Sequence, residues 1–231
     1  MLILAIDTTA NTATCALSRD GRMVALCTVN GLLTHSETLL PMIENMLAKS
    51  AFEVDDIDAF AVSEGPGSFT GVRIGVSLIK GLAFNKGKPC VGVSTLAALA
   101  KNFDGIGGYV VPVMDARRSQ VYTAVFKDGE RLCDDMLVPL DELKVKLLSL
   151  GVRDIRLCGD GYDLAKKYFA DSEISVSETP AMLIPQNALS VALAAEELIA
   201  QGLEKTDSTL SARYLRASQA EREREEKLNA K

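Results

Sequence analysis

Tryptophan is absent from this chain and aromatic residues make up only 5% of it, so platforms for stacking bases are scarce. No block of lysines and arginines offsets the formal charge of −6. A surface that grips a nucleic-acid backbone needs such a positive patch, because phosphate contacts supply most of that affinity. Direct, tight binding of nucleic acid by this subunit alone is therefore not expected. A single histidine, His35, rules out a metal site built from two histidines on one helix face, and with it a zinc-peptidase reading. It reads as a capping or packing residue, and no Ser–His–Asp set can be assembled around it. The five cysteines (Cys15, Cys27, Cys90, Cys133 and Cys158) are odd in number, scattered and never in a C-x-x-C pair. That pattern fits reduced, mostly buried thiols, not a disulfide framework or a zinc site. No run reaches the roughly 18 apolar residues of a membrane span. Asp7 ends the apolar start too early for a signal peptide. A cytoplasmic chain without membrane contact is expected.

What is present is a glycine-rich junction, Gly65-Pro-Gly-Ser-Phe-Thr-Gly-Val-Arg-Ile-Gly75. It follows the apolar run Ile57–Val62, which reads as a buried strand, and leads into Val72–Asn85, which has helical length and no proline. Glycine lets another backbone or a ligand come close. The parts of the familiar phosphate cradles are missing. Gly71 is followed by Val72 and Arg73 in place of the Lys-Ser/Thr of a P-loop, and no acidic residue stands where a dinucleotide fold needs one. A tight turn without ligand and a turn approached by a partner both remain open. The helix that follows carries Val72, Gly75, Val76, Ile79 and Ala83 on one face and Ile74, Leu78 and Leu82 on a second. An apolar girdle of this kind implies cover on more than one side, from its own domain or from another protein.

The chain repeats itself. Ile3–Asp7 and Val110–Asp115 are apolar strands ending in aspartate, and Asp20-Gly21 and Asp128-Gly129 follow each by thirteen residues, so both features recur after 108 positions. Asp-Gly between alternating apolar residues signals a hairpin, here joining Thr12–Leu17 to Met23–Thr28 and Gln120–Phe126 to Arg131–Cys133. Helix Ser36–Lys49 carries Leu39, Met42, Ile43, Met46 and Leu47 at helical spacing, with Thr34 and Glu37 placed for a capping box. Pro41 is expected to kink that helix or delay its start. Helix Leu140–Leu150 and Gly159-Asp-Gly161 occupy the matching places in the second half. Two βββαβα units in tandem follow, with Asn102–Gly108 as the junction: lobes 1–104 and 105–231. A last helix runs from an Asn187 cap to about Gln201, and the tail Glu221–Lys227 alternates in charge. Asp7, Thr8 and Asp115 are the candidate nucleotide-cleft residues; a strand-end turn cap is the competing reading of both aspartates.

With these residues in view, the chain resembles the bacterial TsaB (YeaZ) family. The likeness rests on Ile3-Leu-Ala-Ile-Asp-Thr-Thr9, His35-Ser36, the Gly65–Gly75 motif, Lys80-Gly-Leu-Ala83, Val93–Leu99, Asp115-Ala-Arg117, Gly159-Asp-Gly161 and Tyr214-Leu-Arg216. Ala212 stands where the family often has proline. The resemblance implies an α/β actin-like ATPase (sugar kinase/Hsp70) fold of two duplicated lobes. It implies a non-catalytic role beside TsaD in making threonylcarbamoyladenosine next to the tRNA anticodon, with TsaE as the associated ATPase and tRNA met only through the complex. It also implies a homodimer when TsaD is absent. No intrinsic cofactor is expected, and ATP or ADP with Mg²⁺ has a place only at the interface of the complex. No catalytic or metal-binding residue is assigned. The expected partner interface is Leu39 and Ile43 on the first helix, with Phe69, Arg73, Val76, Ile79 and Lys80 around the second. A stand-alone kinase or ATPase of the same fold is the alternative reading of the paired aspartates.

Overall fold

The computed structural model describes residues 1–31 and 33–216; the charged segment 221–227 lies outside them. Strand β1 (Leu2–Asp7) is buried along its whole length because both faces of its sheet are covered. Leu2, Leu4 and Ile6 enter one core with helices α1 (His35–Ser50) and α2 (Phe69–Ala83), while Ile3 and Ala5 enter another. Around β1 lie β2 (Thr12–Arg19), β3 (Arg22–Asn30), β4 (Ala59–Gly65) and β5 (Cys90–Ser94), in the order β3-β2-β1-β4-β5. The β2–β3 hairpin turns at Asp20 (φ 50°) and Gly21 (φ 70°), the left-handed pair that a tight two-residue turn demands.

Helix α1 corrects one expectation. Its start is not delayed: the helix begins at His35 and continues past Pro41 to Ser50, with Pro41 on the solvent side, where the unpaired carbonyl one turn back can be hydrated. Its N-terminus is held as its sequence suggests: Glu37 accepts from the Thr34 N–H at 3.1 Å and from the Thr34 hydroxyl at 2.6 Å.

Helix α3 (Thr95–Lys101) leads to the second lobe: β6 (Tyr109–Asp115), β7 (Val121–Thr123), β8 (Phe126–Lys127), β9 (Glu130–Arg131), β10 (Met136–Val138), α4 (Leu140–Ser149), β11 (Asp154–Cys158), α5 (Tyr162–Phe169) and β12 (Ser175–Ser177). Its main path is β10-β7-β6-β11-β12, the same topology as the first sheet. Each main path thus has five strands where four were read from sequence, and the second sheet carries the short β8 and β9 as well. The strand expected at Arg131–Cys133 is displaced. The hairpin pairs only at Glu130–Arg131, and the strand beside β7 is Met136–Val138. Between them the chain leaves the ladder to bury Asp135, which pairs with Arg131 at 2.5 Å and accepts from the Ser94 hydroxyl of the first lobe at 2.9 Å.

Helix α6 (Ala188–Ala200), capped by Asn187, returns to the first lobe, where Val191, Ala192 and Ala195 pack on Ile3, Ala5, Ala59 and Ala61. The chain then runs on as a strap over the first lobe to Arg216. Among the described residues, no helix is long and apolar enough to cross a membrane.

Candidate functional site

The two lobes face each other across a cleft of about 930 Å³. Its floor is made by the turn after β1, the start of α2, the turn after β6 and the strap. The two strand-terminal aspartates behave differently there. Asp7 is buried, and both of its carboxylate oxygens are occupied. One accepts the Thr9 N–H (2.8 Å) and the Thr9 hydroxyl (2.7 Å), and the other accepts the Ser63 hydroxyl. Burial pushes its pKa up, against those hydrogen bonds. Thr8 is buried too and donates to the Gly71 carbonyl at 2.7 Å. Neither Asp7 nor Thr8 lines the cleft; both hold the turn against the glycine-rich segment.

The glycines explain what approaches that segment. A Cβ on Gly67 would stand 2.5 Å from the Thr9 carbonyl oxygen. One on Gly71 would strike the Thr8 carbonyl, and one on Gly75 would lie 2.5 Å from the Thr8 hydroxyl. Gly65, at φ +120°, leaves room for the Arg213 carbonyl. The approaching partner is the chain's own backbone, and the turn is filled without a ligand.

Asp115 does line the cleft and is exposed. Its carboxylate accepts the Arg117 N–H at 2.7 Å, across a loop in which Arg117, Arg118 and Ser119 all adopt left-handed φ values of 54–60°. Beside it, the Asp160 carboxylate accepts the Asp115 N–H at 3.3 Å. Although Asp160 as a residue is exposed, its carboxyl faces the crevice. Loss of water, with repulsion from Asp115, pushes its pKa up to about 6. His35 closes the near wall, with Nε2 donating to the Ala10 carbonyl at 2.7 Å.

The strap that completes the cleft was not foreseen from the sequence. Lys205 pairs with Glu64 at 2.7 Å, Leu210 is buried in the first core, and the Arg213 N–H donates to the Glu64 carbonyl at 2.7 Å. Tyr214 stacks on Phe69 with ring centroids 4.6 Å apart, and Arg73 lies over Phe69 while donating to the Tyr214 hydroxyl at 2.9 Å. Lys80 donates to the Leu210 carbonyl at 3.1 Å. Arg216 then crosses to the second lobe, bonding the Ala116 carbonyl at 2.8 Å and the Gln120 side chain. The Tyr214-Leu-Arg216 motif was the available signal, but nothing in its spacing says where it docks.

Comparison with known proteins places this arrangement. The family model described as TsaD, tRNA N6-adenosine threonylcarbamoyltransferase, matches residues 33–224. The tRNA threonylcarbamoyladenosine biosynthesis protein TsaB of Bacillus subtilis is 35% identical over 74% of this chain and 76% of its own length. The chain belongs to the TsaB (YeaZ) family. A solved Pseudomonas aeruginosa protein, described as similar to peptidase YeaZ, superposes with a TM-score of 0.78 at 26% identity, over 93% of this chain and 99% of that one. An activator of 2-hydroxyisocaproyl-CoA dehydratase from Clostridium difficile, solved with bound ADPNP, is 13% identical with a TM-score of 0.50, over 92% of this chain and 100% of that one. That likeness concerns the fold alone, which is the actin-like one.

Within this TsaB-family chain the expected partner interface requires correction. Leu39, Ile43, Val76 and Ile79 are at most 6% exposed and close the first lobe's core against β1 and β4. Amphipathic spacing marks the face that is buried, and here the sheet takes it. Phe69, Arg73 and Lys80 are engaged by the strap. The larger apolar side chains left at least partly exposed there are Leu40 (41% exposed) on α1, Leu33 (70%) just before it, and half-buried Ile74, Leu78 and Leu82 on α2.

Proposed function

We propose that the chain is a non-catalytic subunit in the formation of threonylcarbamoyladenosine beside the tRNA anticodon, and that it docks a TsaD-type catalytic subunit. The names of its relatives supply the pathway. The observation that carries the non-catalytic role is Asp7, whose carboxylate is saturated by Thr9 and Ser63 beside glycines already filled by the chain's own backbone. In the actin-like fold the two strand-terminal aspartates normally face a nucleotide–metal cleft, and here Asp7 does not line it.

The outward strip Leu33, Leu40, Ile74 and Leu78 is the docking surface in this reading. A second copy occupies it when the catalytic subunit is absent, and TsaE joins the assembled complex. Leu40→Glu is expected to abolish co-purification with TsaD while leaving the melting temperature unchanged, because Leu40 is exposed. Val76→Glu would unfold the lobe and is uninformative. Reconstitution of tRNA modification with and without the chain tests the role itself. Product formed at full rate in its absence, or by the chain alone, sinks the proposal. The stand-alone kinase or ATPase reading retains one supporting observation, the open Asp115–Asp160 pair in the cleft. Calorimetry with ATP and Mg²⁺ on the isolated chain decides it, with tight binding lost in Asp115→Asn as the result in its favour.

A further inference from the structure

The register of the first hairpin brings together two cysteines that the sequence separates. Cys15 on β2 stands directly opposite Cys27 on β3, and both side chains lie on the sheet face that carries α1. Directly opposed residues of an antiparallel pair have Cα atoms about 4.5–5.5 Å apart, inside the roughly 4.4–6.8 Å that a disulfide spans. A third sulfur adjoins them, with the Met46 thioether of α1 lying 3.9 Å from the Cys15 thiol. Cys27 is half-buried, Cys15 is buried, and the ladder puts no cysteine opposite the other half-buried thiol, Cys133.

We propose that Cys15 and Cys27 form a redox-reactive dithiol that closes to an intramolecular disulfide by exchange with small-molecule disulfides. The Cys27 thiolate attacks one sulfur of the reagent, making a mixed disulfide and releasing one thiolate. The Cys15 sulfur then displaces the second, and the two protons lost by the protein leave on the two reagent thiols. The order follows from environment. Burial pushes the Cys15 thiol up to about 12, so it serves as the resolving group and Cys27 as the entry point. The product staples β2 to β3 beneath α1. This inference is independent of the docking role, and its test reads thiols instead of tRNA modification.

The folded full chain is incubated with oxidised glutathione, alkylated and mapped by mass spectrometry without reduction. Trypsin cuts after Arg19 and Arg22, so the two cysteines fall on separate peptides that stay joined only through the disulfide. The expected result is that linked pair, at a mass lower by two hydrogens, with Cys133 carrying only a glutathione adduct. Cys15→Ser should stop at a glutathione adduct on Cys27, and Cys27→Ser should leave Cys15 unmodified. Wild-type protein that accumulates the Cys27 adduct while Cys15 stays free overturns the proposal. So does a Cys15–Cys27 bond that forms only after denaturation. The wild-type thiol map decides the matter even where a serine variant fails to fold.

Discussion

The two lobes share one topology and one spacing of aspartates, yet they treat those aspartates in opposite ways. In the first, Asp7 is sealed under Thr9 and Ser63, and the glycines of the following turn admit Thr8 and Thr9 so closely that no side chain fits between. In the second, Asp115 faces the cleft, among the described residues accepts only the Arg117 N–H, and stands next to a second carboxylate, Asp160. The shared motif therefore reports a common way of ending the first strand of each sheet. A glycine after the fourth strand lets that turn close against the end of the first: Gly71 against Thr8 here, Gly159 against Val113 there. One lobe uses the device as internal architecture and the other leaves it open to solvent.

The largest expected effect tests that contrast directly. Asp7→Ala removes the acceptor for a buried N–H and two buried hydroxyls and should cost about 3 kcal/mol of unfolding free energy. Asp115→Ala, at an exposed turn, should change stability by less than about 0.5 kcal/mol. Urea titrations of the two variants give the comparison. Equal losses would mean that the two turns contribute alike and that the buried network around Asp7 is not a special constraint.

Much of the fold was legible because it is written locally. Asp-Gly turns, the apolar spacing of α1, the Thr34–Glu37 cap and the Asn187 cap all sit where short-range rules put them. What failed was long-range. The chain abandons the ladder at Leu132–Asp135 so that Asp135 can meet Arg131, Ser94 and, at 4.0 Å, Arg213. Such a cluster joins three distant segments and leaves no periodic trace. The helix faces erred for the same reason. Apolar spacing in α2 correctly marked Val76 and Ile79 as covered, but it cannot say whether a sheet or a partner does the covering. The strap was hidden because its contacts, Tyr214 on Phe69 and Arg216 on Ala116, pair residues a hundred or more positions apart.

An intermediate effect is expected at that strap, which touches both lobes at the cleft. Tyr214→Ala removes an aromatic stack and the hydroxyl bound by Arg73, a loss of about 1–1.5 kcal/mol. Because the stack is a contact of the strap alone, local release should exceed the global change. Limited trypsin digestion reads this as faster cleavage after Arg213 and Arg216 with the rest of the chain intact. Unchanged cleavage would show that Lys205, Leu210 and Arg216 hold the strap without the stack, and that the first lobe's grip on it lies upstream of Tyr214.

The smallest effect concerns the open acidic pair. The Asp160 carboxyl rises from 3.8 to about 6 in the folded chain, so the native state holds this proton more tightly than the unfolded one. Between those values the native state binds more protons, and stability therefore falls as pH rises through about 6. Asp160→Asn removes that fall and still accepts the Asp115 N–H. A shift of this size at a sealed site would correspond to about 3 kcal/mol, but Asp160 is exposed and solvent screens it, so about 0.5–1 kcal/mol is expected. Urea titrations should show the variant more stable than wild type by that amount near pH 7 and indistinguishable from it near pH 4. In an Asp115→Ala background the gain should shrink, because one source of repulsion is gone. The same gain at both pH values would mean that the substituted amide improves packing and that the carboxyl carries no displaced proton. The sealed Asp7 then marks the limit of the contrast: its hydrogen bonds would be lost with the carboxylate, so relief of charge there cannot be separated from loss of the turn.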